Sequence, residues 1–262
     1  MTPTLELGQR ILNAAKANVT VDLGIGVVTV TKPIVIDVGA QCTFSLKGSG
    51  HWAQVRYNGP TGSTFLTVYG AKRPSIEGLG LLLADGCNGV DFVCDQAHDS
   101  TSHVRMTGCH IQGKGDFGVR FGGDGDCCDF RFDTVECYGF KSGFKPHGSN
   151  CLNHVFMNCQ GSSCDAGFDL TEGGAASTFF GCGGSNTGSM WKVNGGYCVQ
   201  VFGGRTELVT HVMEFTWYSK PETKPVLCVG HVADSVSGKP FEGRSLGLTT
   251  LGVMVDQAPL TL

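Results

Sequence analysis

Val104-Arg105-Met106-Thr107-Gly108-Cys109 and, a few residues on, Gly118-Val119-Arg120-Phe121 form a pair of short β-type runs that the chain repeats. The first kind of run returns at 132–137, 155–159, 178–182 and 199–204. The second, opened by Gly or another small residue, returns as Gly89-Val90-Asp91-Phe92, Gly143-Phe144-Lys145, Gly167-Phe168-Asp169-Leu170 and Ser189-Met190-Trp191-Lys192-Val193. Cys109, Cys137, Cys159, Cys182 and Gly204 lie 28, 22, 23 and 22 residues apart, and the opening residues at 89, 118, 143, 167 and 189 lie 29, 25, 24 and 22 apart. Two independent markers thus share one period in the twenties, with two strands per repeat and no helix between them. That is the signature of an all-β solenoid whose coils stack strand on strand.

Composition agrees. Gly accounts for 40 of 262 residues and Pro for only 9, which suits a fold that turns sharply every few residues. Charged residues are 16% and the net charge is −4, so no basic field exists to attract nucleic acid or an anionic membrane. The start, Met1-Thr2-Pro3-Thr4-Leu5-Glu6, lacks a basic segment followed by an apolar run, and no stretch of 18 apolar residues occurs. We expect no signal peptide and no membrane insertion. The 13 cysteines are odd in number, Cys127 and Cys128 are adjacent, and no Cys-x-x-Cys pair appears, so neither a disulfide framework nor a zinc ribbon is supported. Free thiols are the first expectation; intermolecular disulfides through Cys127, Cys128, Cys151 or Cys164 are the other. No cofactor and no metal is expected.

Residues 5–17 carry Leu5, Ile11, Leu12 and Ala15 on one side, an amphipathic helix that would cover the open end of a solenoid. Strand-like runs then follow at 19–23, 27–30 and 34–36, broken by Gly24-Ile25-Gly26 and Lys32-Pro33. This order of short helix, Val19-Thr20-Val21-Asp22-Leu23, a Gly break, Thr31-Lys32-Pro33-Ile34-Val35-Ile36 and Phe44-Ser45-Leu46-Lys47-Gly48-Ser49-Gly50 resembles the opening of pectin-lyase-like proteins. Ser75-Ile76-Glu77-Gly78-Leu79 and the Gly-led runs continue the likeness to about residue 217. The resemblance implies a single-stranded right-handed parallel β-helix, here of about eight coils. We expect a cap helix over residues 1–18, the β-helix over 19–217, and a C-terminal β cap or oligomerisation segment over 218–262, where Lys220-Pro221-Glu222-Thr223-Lys224-Pro225 interrupts the pattern.

Side chains alternate along a strand, so Val90 and Phe92, Val119 and Phe121, Phe168 and Leu170, and Trp191 and Val193 should point inward. Between them Asp91, Arg120, Lys145, Asp169 and Lys192, then Glu214, should form an outward ladder. It reads either as a solvated face held by modest cross-strand pairs or as a carboxylate site or shallow sugar groove. Cys109, Cys137, Cys159 and Cys182 read as corner packing, since a linear ladder does not supply a metal tetrahedron. Acids crowd the expected turns: Asp95, Asp99, Asp116, Asp124, Asp126, Asp129, Asp133, Asp165 and Glu172. Two carboxylates about 5 to 9.5 Å apart could cleave a glycosidic bond. The run 122–129 could instead hold calcium, or be an ordinary Asp/Gly turn. The Asn-x-Asp, Asp-Asp, Gly-His-Gly and Arg-x-Lys series of polygalacturonases and the Arg-x-Pro-x-x-Arg of pectate lyases are not found. His110, His147, His154 and His211 are scattered and read as edge or satisfied polar residues.

Fold motifs of this kind are shared by lyases, hydrolases, phage tailspikes and inert virion proteins, so they speak to architecture more than to activity. With no signal and no catalytic set, the likeness points to the virion-protein branch. The expected role is a structural, adhesive virion protein, a spike or decoration assembled in the host cytoplasm. It would be a homotrimer contacting other virion proteins and host surface glycans. The alternatives are a tailspike-type glycosidase or polysaccharide lyase, with acids such as Asp124, Asp126, Asp165 and Asp169, and a cytosolic carbohydrate-modifying enzyme.

Overall fold

The computed structural model describes residues 6–24, 26–37, 43–50, 55–95, 97–98, 100–148, 150–194, 197–216, 225–243 and 248–260. It is a parallel β-helix of about eight turns behind one short helix. Three sheets run along the solenoid. The first face has ten strands, from Thr20–Asp22 up to Leu248–Leu251; the second has six, from Val28–Val30 up to Gln160–Ser162. The third begins at Ile34–Asp37 and is the broadest, its upper strands Gly184–Asn194 and Arg205–Thr216 reaching 11 and 12 residues. Residues Thr101–Ser102, Cys127–Cys128 and Cys151–Leu152 add a narrow three-stranded strip at one corner.

Each strand pairs with the equivalent strand one turn away, so backbone hydrogen bonds run along the solenoid axis while alternate side chains fill its interior. Val90, Phe92, Val119, Phe121, Phe168, Leu170, Trp191 and Val193 are all fully buried. Two aromatic columns dominate this interior. Phe132, Phe156 and Phe179 stack at 4.9 and 4.6 Å from the first face, and Phe144, Phe168 and Trp191 stack at 4.9 and 5.8 Å from the third. Edge contacts between the columns, such as Phe168 against Phe179 at 4.9 Å, lock the faces together.

The glycine marker has a steric origin. In Gly118 a Cβ would lie 2.7 Å from the Cys137 Sγ and 2.9 Å from the Gly143 carbonyl, so only hydrogen fits where the backbone bends inward. The last marker slips by one, since Ser189 pairs with Ala166 and Met190 therefore stands over Gly167. The cysteine marker slips by two at one turn. Hydrogen bonds from His110 to Leu79, Glu136 to Cys109, Gln160 to Val135 and Gly183 to Cys159 put Val135, not Cys137, in the corner column. Cys137 pairs instead with Ile111 and Gly161 on the second face. A slip of two preserves the inward direction, which is why Cys137 is buried all the same.

The helix Leu7–Ala17 buries Leu7, Ile11, Ala14 and Ala15 and ends at Asn18, whose φ of 53° is left-handed. At the other end parallel pairing does not stop near residue 217. Val226–Val229 pairs with Val199–Phe202, and Leu248–Leu251 pairs in turn with Val226–Val229. Residues after the expected boundary therefore continue the coil, because their alternate apolar side chains, Val226 and Cys228, still fit the interior. Met254–Val255 then folds back on Ala258–Pro259, the one antiparallel pairing among the described residues. The segment at 217–224, including the Lys220 to Pro225 interruption as far as Lys224, lies outside the described residues, as do Leu5 and Asp99.

Candidate functional site

On the third face the expected ladder is in register. Arg120 pairs with Asp91 on one side and with Lys145 on the other, Asp169 pairs with Lys192, and Lys192 pairs with Glu214. Its lowest rung is not solvated, however. Asp91 is buried beneath Arg120, whose Nη2 and Nε donate to the two carboxylate oxygens at 2.6 and 3.2 Å. The guanidinium also lies 4.4 Å over the Phe117 ring, so it is fixed in both direction and tilt. Burial alone would lower the Arg120 pKa, but the Asp91 carboxylate outweighs it and the net shift is upward.

Higher rungs stay partly open to solvent. Lys145 Nζ lies 3.4 Å from Glu172, and Lys192 Nζ lies 3.6 Å from Glu214, which also accepts from Ser189 Oγ at 2.6 Å. Asp169 accepts from Ser142 Oγ at 2.9 Å and from Thr171 Oγ1 at 2.6 Å. Together with the residues that precede the strands, these rungs enclose a groove of about 390 Å³ along the face. Its floor is Phe117, Ser142 and Ala166; Arg120, Lys145, Asp169 and Lys192 form one wall, and Asp116, Lys141 and Asp165 the other. Lys141 donates to Asp116 at 2.6 Å, which raises its pKa. The minus, plus, minus rung of Asp116, Lys141 and Asp165 sits immediately before successive strands. Lys141 escaped the sequence reading, although alternating charge at that one repeat position was a usable signal.

The four candidate acids do not converge. Asp165 and Asp169 both line the groove. Asp124 and Asp126 follow the far end of the seven-residue strand Phe117–Gly123, about 20 Å of extended chain from the groove's Asp116 wall. A glycosidase pair drawn from both ends is therefore excluded by distance. Asp124 and Asp126 are exposed, and Asp126 accepts from the Asn150 side chain at 2.9 Å. Among the described residues no cluster of three or more His, Cys, Asp or Glu is placed to hold a metal ion, so the 122–129 turn shows no calcium cage.

Nor does any named histidine reach the groove. His110 pairs with Glu136 at 3.0 Å on the second face, which raises its pKa. His147 and His154 are inward or half-buried, and His211 Nδ1 is 2.8 Å from the Lys239 carbonyl. A histidine not singled out, His98, lies 2.6 Å from Asp95 and 3.3 Å from Asp37 and rests on the Tyr69 ring at 4.8 Å. The Asp95 hydrogen bond raises its pKa, and its contacts to Asp37 and Asp95 clip two coils together.

The described cysteines are free thiols. Cys127, Cys151 and Cys164 are buried, which removes them as intermolecular cross-link sites and leaves Cys128 half-buried. Burial pushes Cys109 and Cys164 up to about 11 and Cys228 up to about 12, as packed neutral thiols. No helix among the described residues is long and apolar enough to cross a membrane.

No family model matches the chain, and no curated protein sequence matches it. Solved structures do. An alginate lyase from Paenibacillus sp. str. FPU-7 superposes with a TM-score of 0.58 at 17% identity, covering 94% of this chain and 97% of that one. The gp42 tailspike of Acinetobacter phage vb_AbaP_AS12 superposes with a TM-score of 0.55 at 10% identity, covering 90% of this chain, which spans 44% of the tailspike's length. At such identities the likeness is one of fold, and the shared fold is the parallel β-helix.

Proposed function

We propose that this chain is an adhesive virion protein, a β-helix spike or decoration that offers its third-face groove to glycans of a host surface. The observation that carries the reading is the groove itself. Lys145 and Lys192 stand partly open on one wall, and the acids and hydroxyls around them supply acceptors and donors at coil spacing. That mixture suits a hydroxyl-rich chain lying along the axis. Asp169 is already engaged by two hydroxyl donors, which makes it a positioned acceptor rather than a free acid. The fold-level likeness to a phage tailspike supports a virion setting. In this reading the protein is a homotrimer held to other virion proteins, with the helix at 7–17 as its lower cap.

The test is binding of purified bacterial capsular polysaccharides and lipopolysaccharides to the full chain. Lys145→Glu with Lys192→Glu should weaken the retained glycan at least tenfold, while Lys114→Glu, outside the groove, should not. Failure to bind any surface polysaccharide, together with no association with particles, refutes the proposal. A second reading, a polysaccharide lyase or glycosidase, is favoured by Asp165 and Asp169 sharing the groove with two lysines. It requires release of reducing sugar or of unsaturated product, abolished by Asp169→Asn.

A further inference from the structure

The first face carries an outward column whose chemistry changes halfway up. In the lower coils it reads Asp22, Lys47, Glu77, Thr107 and Asp133, each the register partner of the next. From the next coil it reads Met157, Phe180, Phe202, Val229 and Leu251, again each paired with the next. The neighbouring outward column changes at the same height, from Arg105 and Arg131 to Val155, Thr178, Gln200, Leu227 and Thr249. Five consecutive coils therefore present no charge in either column.

These side chains are not hidden. Phe180 is 44% exposed and Leu251 66%, and the Phe180 and Phe202 rings stack at 5.3 Å. Met157, Phe202 and Val229 are half-buried. Repetition does not account for the stripe, because over comparable coils the third face's outward column is Lys145, Asp169, Lys192 and Glu214. Five rungs at about 4.8 Å make a stripe about 19 Å long, and two columns about 7 Å apart give it a footprint of roughly 300 Å², with all five side chains of the first column and Val155 and Leu227 of the second apolar. A contiguous apolar stripe of that size is in the range of the largest patch on a typical monomer, a kind of patch that is often functional.

We propose that a second copy of this chain covers the stripe, with the two solenoid axes parallel. Only a partner with the same 4.8 Å rise can set one apolar rung against another along the whole stripe, and another copy of this solenoid has that rise by construction. The column itself offers no donor or acceptor to a glycan, and a flat sheet has no pit for a peptide anchor. The footprint is well under the roughly 800 Å² that each partner of a stable complex buries, so the stripe is the apolar centre of a wider contact whose rim includes Thr178, Gln200 and Thr249. The lower half adds no attraction: parallel copies would bring Arg105 and Arg131, and Lys47, Glu77 and Asp133, opposite their own like charges, a cost that the apolar half must outweigh and that is screened by salt.

The inference rests on the homo-oligomer part of the proposed function and is independent of the glycan groove. Light scattering on the full chain should show an oligomer for the wild type, dissociating to single chains in Phe180→Lys with Leu251→Lys and unchanged in Thr107→Lys. Should the double variant fail to fold, Phe202→Cys decides: it should cross-link to itself under mild oxidation, and Thr107→Cys should not. An oligomer that survives both lysines without cross-linking at position 202 overturns the stripe and leaves assembly standing. A monomeric wild type overturns both, and if the stripe variants then lose glycan binding, the stripe is a sugar platform instead.

Discussion

Gly118 shows what a single residue decides in this fold. Its backbone bends toward the interior between Cys137 and the next coil's Gly143, and a methyl group there meets both within 3 Å. Gly118→Ala should cost about 1–3 kcal/mol through forced overpacking. Thermal unfolding should register this as a clearly lowered Tm, while Gly108→Ala, whose Cβ would meet nothing within 4 Å, should be penalised only for its φ of 59°. A Gly-led repeat was readable in the sequence; which atoms forbid a side chain was not, because those atoms belong to turns 19 and 25 residues away. The same holds for Asp91. Alternation placed it outside, and it does sit on the outer surface, but Arg120 from the following coil covers it.

At the scale of an element, the upper coils depend on His231. It is buried, its Nδ1 lies 2.9 Å from the Gly203 carbonyl, and its ring meets Trp191 edge-on at 5.1 Å. Burial lowers its pKa from the ordinary 6.5. A group depressed in the folded state contributes stability that is present above its unfolded value and lost as pH falls through the folded one. His98 and His110 are raised and act oppositely, contributing below 6.5 and losing that contribution as pH rises through their folded values. His231→Gln isolates the buried group. The variant should melt below the wild type at pH 7.5, and the gap between the two Tm values should narrow as the pH is taken to 5. A gap that stays constant or widens contradicts the assignment.

For the whole molecule the danger of a solenoid is its ends. The helix Leu7–Ala17 lies over the first coil, whose strands Thr20–Asp22, Val28–Val30 and Ile34–Asp37 otherwise present unpaired edges. Removing residues 1–17 should leave the upper coils folded, since each coil contacts only its neighbours, yet produce concentration-dependent association through the bared edge. Sedimentation of the truncated chain checks this, and a monodisperse truncated protein of unchanged mass refutes it. A top closure by the hairpin of Met254–Val255 and Ala258–Pro259 serves the same end.

From the sequence alone, the period, the two runs per repeat and the alternation within each run were enough to establish a stacked β-solenoid and to select its interior residues. That follows from local physics: a side chain's direction in a strand depends only on its parity. Register is another matter. Turn lengths differ from coil to coil, so a slip of two, as at Cys137 and Val135, preserves parity and leaves no trace in the alternation. The outward ladder was legible, but only the tertiary structure decided the burial of Asp91 beneath Arg120, the groove beside Lys145 and Lys192, and the alignment of Phe180, Phe202 and Leu251 into one exposed stripe. Each of those features joins side chains about 22 to 30 residues apart in the chain and about one 4.8 Å step apart in space, a proximity that hydrogen bonding between coils creates and that no local pattern encodes.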